Sequence, residues 1–447
     1  MIVMKFGGSS VQNEEAIGRV ISIVKTRLRE KPVVVVSALA KVTRLLVELA
    51  EEAENQNVQR VQELMGVLRG RHFGLCRDLL DGDLLESTTA KVEALCTALE
   101  TFVDGVCQIG ELSQRSRARI ISTGELLSST IVAAAMNAQG ISCNWADARK
   151  MIVTDYNYMA ARPDLEKTAA NVTRVIGEAS KGADLVLTQG FIASAEDGSP
   201  TVLGFEGSDF SAAVLGMSLD ADRVEIWTDV DGIRTSDPRV VARTCRMDRV
   251  SYDEAAEMAY LGARVLHPLT MGPARMRNIP IMVLNTMNPE CHGSCVSASP
   301  DIPEGAKSVA FLQEIDYLEV GTSGEKGMTQ MLENVFMELR REKVEANLVG
   351  CSRSKVSLTF EPGQEGLRKA VSALERQYRT SLFRDRSQVS VVGRGVALMK
   401  GIKDDILASG KVYMIVEGSD FQSISAVVDR NCVKDFVNSL HGRLFGA

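Results

Sequence analysis

The chain has 447 residues, of which 45% are hydrophobic and 24% are charged, enough for two or three domains with substantial cores. Its net charge of −7 argues against nucleic acid or an anionic membrane surface as the main partner. Neither a membrane-spanning apolar run nor a signal peptide is visible, so we expect a cytoplasmic protein. Nine scattered cysteines predict reduced thiols rather than a disulfide framework.

The chain opens with an apolar strand that runs into a pair of glycines. Ile2-Val3-Met4 leads into Lys5-Phe6-Gly7-Gly8-Ser9-Ser10, and a helical pattern begins within a few residues. Adjacent glycines let backbone N–H groups approach an anion, the next helix offers the positive end of its dipole, and Lys5 adds a full charge. The segment therefore predicts either a phosphate-binding loop or a plain tight turn. It matches neither the P-loop motif nor G-x-G-x-x-G.

Short apolar strands alternate with helical segments over the first two thirds of the chain. This alternation predicts a mainly parallel sheet with helices on both faces. The expected strands are 32–37, 120–123, 141–145, 185–189, 223–228 and 281–285. Between Val42 and Arg119 the pattern is helical and rich in charge, which predicts an amphipathic helical lobe with one solvated face.

Polar side chains follow several of these strands, at the edge where parallel sheets bind their ligands. Thr43 follows strand 32–37 and can donate to an anion. Glu125 follows the expected strand 120–123, where it either caps a helix or binds a cationic amino group. Asp209 lies in a second glycine-containing strand-to-helix turn, where it is either an N-cap or part of a site.

The segment after strand 223–228 suits a nucleotide. Thr228 and Asp229 end the strand, a turn follows, and Arg239 is placed to meet a sugar or phosphates. Cys291-His292-x-x-Cys295 resembles part of a zinc site, but no second pair completes it, so we expect no metal bound by protein side chains. With only four histidines and no Ser-His-Asp or Cys-His set, the favoured reaction is phosphoryl transfer, which depends on positioning and charge neutralisation.

A composition break at 297–306, marked by prolines and glycine, predicts a boundary between residues 1–298 and residues 306–447. Beyond it the chain nearly repeats itself, in modules of approximately 315–385 and 386–447. Each module has a strand, a glycine-containing loop, a helix and two further strands. Paired modules of this kind either bind a ligand at their interface or are purely structural.

Several motifs in this order resemble the aspartokinases, members of the amino-acid kinase family. They are Lys5-Phe6-Gly7-Gly8-Ser9-Ser10-Val11, Gly124-Glu125, Gln189-Gly190-Phe191-Ile192, Leu203-Gly204, Gly207-Ser208-Asp209, Ile226-Trp227-Thr228-Asp229-Val230-Asp231-Gly232, Asp237-Pro238-Arg239, Gly262-Ala263 and Val265-Leu266-His267-Pro268. The resemblance covers essentially the whole chain, and 251–268 is especially similar to the kinase half of bifunctional aspartokinase–homoserine dehydrogenases.

The resemblance implies a three-layer α/β amino-acid kinase fold with a mainly parallel central sheet, followed by two α+β ferredoxin-like ACT domains. It implies ATP-dependent phosphorylation of the L-aspartate side chain to 4-phospho-L-aspartate, the first step of lysine, threonine and methionine biosynthesis. Mg²⁺ would be bound mainly through the nucleotide phosphates. An allosteric amino acid, lysine or threonine, would bind the ACT domains of a homodimer or larger homo-oligomer.

The family's functional residues carry over onto matching positions. Lys5 would bridge the transferring γ-phosphoryl group and Asp209 would orient Lys5. The residues that would frame L-aspartate are Thr43, Glu125, Phe191, Gly207 and Ser208, with Glu125 accepting from the α-ammonium group. Those that would hold ATP are Gly7, Gly8, Ser9, Thr228, Asp229, Arg234, Arg239 and Arg264.

Four departures from the family pattern fall inside this implied site. Phe205 replaces the arginine that grips the aspartate α-carboxylate, Arg264 replaces a lysine, and Arg234 replaces a tyrosine. Lys41 and Arg44 replace the glycine and asparagine that flank Thr43. We hypothesise that Lys41 or Arg44 binds the α-carboxylate, which Phe205 cannot do, the alternative being that both cations face solvent. The alternative function is a catalytically weak or substrate-shifted homologue that acts as an amino-acid or ATP sensor or as a partner subunit.

Overall fold

The computed structural model describes residues 1–204, 207–263, 266, 268–298, 303–322 and 327–446. The chain divides into two compact units. The first unit comprises residues 1–233, 248–252 and 266–300, and the second comprises 234–247, 253–265 and 301–447. Within the described ranges, no helix is long and apolar enough to span a bilayer.

The first unit is built on an eight-stranded sheet with a smaller three-stranded sheet beside it. Its strands are β1 (Val3–Phe6), β2 (Val33–Val36), β3 (Cys143–Trp145), β4 (Val153–Thr154), β5 (Leu185–Gln189), β6 (Ile192–Ala195), β7 (Pro200–Val202), β8 (Val224–Thr228), β9 (Arg249–Ser251), β10 (Ile281–Asn285) and β11 (Ser294–Ser297). The large sheet has the order β3-β5-β2-β1-β8-β10-β11-β9, and only β11 and β9 run against the other strands. The small sheet is β4-β6-β7. The four consecutive valines of β2 are all buried, as expected for a parallel strand covered on both faces.

Helices cover this sheet and form the predicted lobe. They are α1 (Glu14–Lys25), α2 (Val42–Glu54), α3 (Val58–Leu79), α4 (Gly82–Ile109), α5 (Gln114–Ala138), α6 (Leu165–Ala179), α7 (Gly207–Ser218), α8 (Tyr252–Tyr260) and α9 (Met271–Met276). Helices α2 to α5 pack on one another and share one apolar core with the large sheet. Helix α8 belongs to the second unit apart from its first residue.

Five of the six strands expected in this region are confirmed as β2, β3, β5, β8 and β10. The strand expected at 120–123 is wrong, because these residues lie inside α5. Residues 120–129 are buried without interruption, so the 3.6-residue periodicity of an amphipathic helix is hidden there. The opening glycine pair also leads into a short 3₁₀ turn, Gly8–Val11, and the first long helix begins only at Glu14.

The second unit contains one antiparallel sheet in which the predicted repeat is visible. Its elements are β12 (Ser308–Gly321), α10 (Met328–Arg341), β13 (Leu348–Ser352), β14 (Lys355–Phe360), α11 (Leu367–Leu374), β15 (Arg379–Val392), α12 (Ile402–Ala408), β16 (Val412–Glu417), β17 (Ser423–Asp429) and α13 (Val433–Phe445). The strand order is β13-β14-β12-β15-β17-β16. Each repeat is a β-α-β-β-α unit with its own apolar core. A mainly parallel α/β unit and an antiparallel α+β unit agree with the predicted fold class.

Candidate active site

The candidate site lies at one edge of the large sheet. Strands β5, β2, β1 and β8 are adjacent and parallel, so the residues that follow them meet at the same edge. Helix α7 also begins there, with residues 207–217 all buried. It packs closely on the sheet, since a Cβ added to Gly216 would lie 2.5 Å from Val224 of β8. Polar groups from distant parts of the sequence are thereby collected in one place.

The glycine loop after β1 is fixed by its two neighbouring strands. The Gly7 N–H donates to the Trp227 carbonyl oxygen at 3.4 Å, and the Gly8 carbonyl oxygen accepts from the Ala40 N–H at 3.1 Å. A Cβ added to Gly8 would lie 2.8 Å from the Ala38 carbonyl oxygen. Glycine is therefore required at position 8 by a close backbone approach. Ser9 is exposed on the 3₁₀ turn that follows.

Lys5 and Asp209 form a largely buried ion pair at this edge. The Lys5 Nζ lies 2.5 Å from the Asp209 Oδ1, and the two side chains are only 12% and 8% exposed. Asp209 lies inside the first turn of α7, so the N-cap interpretation of this residue is wrong. Its negative charge suits the positive end of the helix dipole. The Lys5 ammonium group also lies beside the glycine loop, 3.6 Å from the position of a Cβ on Gly7.

Glu125 is a buried carboxylate for which the described residues supply no cation. It lies in the middle of α5, so the prediction that it follows a strand and the interpretation that it caps a helix are both wrong. Its Oε1 accepts from the Ala38 N–H at 3.3 Å, and its buried Oε2 has no hydrogen-bond partner among the described residues. Burial raises the pKa of this carboxyl group from its ordinary 4.5 to about 8. A cationic group brought to Glu125 would favour the ionised form.

Serine hydroxyl groups join the elements around this edge. The Ser37 Oγ, just after β2, donates to the Ser208 Oγ at 2.9 Å, and the Ser128 Oγ of α5 donates to the Ser37 carbonyl oxygen at 2.7 Å. A Cβ added to Gly190, just after β5, would lie 2.6 Å from the Ser208 Cβ. Ser37 and Ser128 were not predicted as site residues, and the only sequence signal for Ser37 is its position after a buried strand.

Phe191 is held in an unusual backbone conformation next to these residues. Its φ is +68°, a left-handed value that is uncommon for a bulky side chain. The Phe191 N–H donates to the Ser211 Oγ of α7 at 2.8 Å, which fixes the peptide in place. A Cβ added to Gly207 would lie 3.1 Å from the Phe191 ring. The aromatic ring therefore lies against the first residue of α7.

The residues at the end of β8 lie next to the glycine loop, because β8 pairs with β1. Thr228 is half-buried, and its Oγ1 donates to the Oδ1 of the exposed Asp229 at 3.3 Å. The Asn285 amide at the end of β10 donates to the Asp231 carboxylate at 2.7 Å and stabilises the following turn. Thr228 and Asp229 thus lie at the predicted edge of the sheet.

The candidate compensating cations lie at the start of α2. Lys41 and Arg44 are exposed and flank the half-buried Thr43, and neither forms an ion pair with a described residue. Lys41 has a φ of +68° at the N-cap of the helix. Because α2 follows β2, these residues also lie at the candidate edge.

Two predicted nucleotide ligands belong to the second unit. The Arg234 guanidinium group donates to the Thr244 Oγ1 and carbonyl oxygen, both at 2.6 Å. The Arg239 guanidinium group donates from Nε and Nη2 to the Asp237 carboxylate, at 3.0 and 2.7 Å. This hydrogen-bonded pair lowers the pKa of the Asp237 carboxyl group. Phe205 and Arg264 lie outside the described residues.

Comparison with known proteins gives matches that cover nearly the whole of this chain. The model of the amino acid kinase family matches residues 1–285. Chloroplastic aspartokinase 3 of Arabidopsis thaliana is 31% identical over 99% of this chain and 81% of its own length. The chain spans 50% to 56% of the bifunctional aspartokinase/homoserine dehydrogenases that it matches.

Two crystal structures of Escherichia coli aspartokinase III are also similar. The complex with aspartate and ADP, an R-state, has a TM-score of 0.89 at 28% identity and covers all of both chains. The complex with lysine and aspartate, a T-state, has a TM-score of 0.83 at 29% identity and covers 100% of this chain and 99% of the other.

Proposed function

This chain belongs to the amino acid kinase family, among its aspartokinases, and we propose that it transfers the γ-phosphoryl group of ATP to the side-chain carboxylate of L-aspartate. The products are 4-phospho-L-aspartate and ADP, and the reaction is the first step of lysine, threonine and methionine biosynthesis. One arrangement carries the proposal. The ammonium group of Lys5 is largely buried on β1, and the buried Glu125 carboxylate of α5, which lacks a described cation, accepts from the Ala38 N–H just after the adjacent strand β2.

The Lys5 ammonium group is proposed to neutralise charge on the transferring phosphoryl group. Asp209 fixes the position of Lys5 through the 2.5 Å contact, and the loop at Gly7, Gly8 and Ser9 brings the backbone close to the phosphates. A carboxylate oxygen of the substrate attacks the γ-phosphorus as the bond to the β–γ bridging oxygen breaks. The attacking carboxylate is already ionised at neutral pH, so the reaction requires no general base.

Glu125 is proposed to bind the α-ammonium group of L-aspartate. The cation would stabilise the ionised carboxylate and lower its pKa, so aspartate would bind with release of a proton at pH values between this lowered pKa and about 8. The remaining proposed substrate ligands are Thr43, Phe191, Gly207 and Ser208. The contacts of Ser208 with Ser37 and with the Gly190 backbone support a rigid substrate pocket.

The proposed ATP ligands outside the glycine loop are Thr228, Asp229, Arg234, Arg239 and Arg264. Mg²⁺ would be held by the nucleotide phosphates, where it neutralises part of their charge. The residues present fit this arrangement, since the Lys5 ammonium group lies beside the glycine loop proposed to bind the phosphates. Asp209 has the only described carboxylate that contacts the phosphate-binding Lys5, and this carboxylate is paired with the Lys5 ammonium group.

Lys41 or Arg44 is proposed to bind the aspartate α-carboxylate in place of the arginine replaced by Phe205. The support is the exposure of both side chains at the start of α2, next to Thr43, without an ion pair to any described residue. An exposed cation at the mouth of a site is free to turn toward an anion.

We propose that the C-terminal unit carries the regulation. The enzyme is feedback-regulated, and we propose lysine or threonine as the effector, since the E. coli relative was crystallised with lysine. We propose a catalytic domain at 1–298 and a tandem ACT region at 306–447, with modules at about 315–385 and 386–447. A homodimer or larger homo-oligomer in the cytoplasm completes the proposal.

The direct test is acyl-phosphate formation from MgATP and L-aspartate, trapped with hydroxylamine, with and without lysine and threonine. Turnover in the wild type and none in Lys5→Ala would support the kinase, and the inhibiting amino acid would identify the effector. ATP binding by calorimetry without turnover would overturn the proposal in favour of a sensor or a shifted substrate.

A further inference from the structure

A groove of about 630 Å³ lies in the first unit, and none of its lining residues is among the candidate active-site residues. One wall is a stripe of α4 that includes Lys91 and Ala94, and the opposite wall is a stripe of α5 from Leu126 to Asn137. The edge strand β3 closes the third side with Trp145. The floor is apolar and built partly from small residues, so the groove has the size and character of a small-molecule pocket.

The aromatic side of this groove is held rigidly. The Trp145 side chain is 40% exposed, although its indole Nε1 donates to the Ser129 Oγ at 3.0 Å. The same oxygen accepts from the Gln189 Nε2 at 2.9 Å, while the Ser129 hydroxyl donates to the Leu126 carbonyl oxygen at 3.2 Å. The Ser129 hydroxyl therefore donates one hydrogen bond and accepts two, which is the most that a hydroxyl group can form. The indole is fixed with one part open to the groove, so a ligand would not have to order it.

The charge of the groove is positive in a chain whose net charge is negative. Its lining contains Lys91 and Arg149 and no aspartate or glutamate. Lys91 makes no ion pair with a described residue. The Arg149 Nε and Nη2 bind the Asp147 carboxylate, which leaves Nη1 without a described partner. The Lys91 ammonium group and the remaining Arg149 N–H donor, beside an apolar floor, complement an anion that carries an apolar body.

We propose that this groove is a binding site for a small aromatic carboxylate, with the ring on the Trp145 indole and the carboxylate on Lys91 and Arg149. The site is separate from the aspartate and nucleotide ligands, since none of its lining residues is among them. A carboxylate recognised mainly by Lys91 binds about tenfold more tightly than its uncharged amide.

The test uses the full chain with 3-phenylpropionate and its neutral amide as probes. Binding is measured by calorimetry and by tryptophan emission, for which Trp145 is a natural reporter because the second tryptophan, Trp227, is buried. The acid is expected to bind and to change the emission, with no displacement by L-aspartate and a nonhydrolysable ATP analogue. Lys91→Met should weaken the acid about tenfold, and Lys181→Met, at an exposed lysine outside the groove, should not.

Two variants fill the groove from opposite walls. Ala134→Trp acts from the partly buried α5 side and Ala94→Trp from the exposed α4 side, so a folding defect in the first leaves the second as a test. Each should abolish binding of the acid. The proposal is overturned if no binding occurs, if acid and amide bind equally, or if binding survives Ala94→Trp. It is also overturned if this variant abolishes self-association of the chain instead, which would make the groove a contact between copies.

Discussion

Glu125→Gln is expected to remove a pH-dependent loss of stability. The glutamine amide would keep an oxygen to accept from the Ala38 N–H and would remove only the ionisable group. In the wild type, burial raises the pKa of this carboxyl group from 4.5 to about 8. Between these values the native chain holds a proton that the unfolded chain has released, so stability falls as the pH rises.

The size of the effect follows from proton linkage. Because the pKa of Glu125 is 4.5 in the unfolded chain and about 8 in the native one, the wild type loses about 2.5 kcal/mol of unfolding free energy between pH 5.5 and 7.5. The glutamine variant has no ionisable group at this position and should not lose it. The loss of unfolding free energy in the wild type relative to Glu125→Gln has already begun at pH 5.5 and stops growing above about pH 8. Added L-aspartate should reduce it, because the α-ammonium group of the ligand favours the ionised Glu125 carboxylate.

Urea denaturation at pH 5.5 and 7.5 measures this difference, with emission from the buried Trp227 reporting on the first unit. Glu111→Gln, at an exposed glutamate just before α5, is the matched control and should follow the wild type. If wild type and Glu125→Gln lost the same stability between these pH values, the inferred burial of a protonated carboxyl group would be refuted.

The other predictions concern the same edge of the sheet. Asp209→Asn should lower kcat about tenfold to a hundredfold because Lys5 loses its fixed partner, and an unchanged kcat in the hydroxylamine assay would contradict the positioning role. Gly8→Ala should lower kcat/KM for ATP at least about tenfold because the new methyl group meets the Ala38 carbonyl oxygen. The control Gly18→Ala, in open space on α1, should keep activity and add about 0.5–1 kcal/mol of stability by urea denaturation. Arg44→Ala should raise the KM for aspartate about tenfold, and an unchanged KM in an active enzyme would exclude its carboxylate contact.

The strands that position the site could be predicted because their sequences carry their own signal. The four valines of β2 are all buried, as in a strand covered on both faces, so composition alone marks this strand. A glycine-containing turn after β1 could also be predicted, because two adjacent glycines directly follow an apolar segment. Its requirement for glycine at position 8 comes, however, from the Ala38 backbone that follows a different strand.

The surroundings of Glu125 could not be predicted from the pattern of its neighbours in the sequence. The ten consecutive buried residues 120–129 erase the periodicity that distinguishes a helix from a strand, so the local pattern predicts a strand where α5 runs. The partner of Ser208 is Ser37, 171 positions away, and such a contact depends on the strand order of the sheet. Sequence patterns describe neighbours along the chain, whereas these contacts are set by topology.

The interleaving of the two units has a consequence for protein engineering. The chain passes from one unit to the other after residues 233, 247, 252, 265 and 300. A truncation at 300 would therefore keep 234–247 and 253–265 but delete their packing partners, including those of Val241 in the C-terminal apolar core. Exchange of regulatory modules between relatives would need to transplant these internal segments together with the C-terminal half. A cut at one junction would leave apolar side chains exposed and favour aggregation.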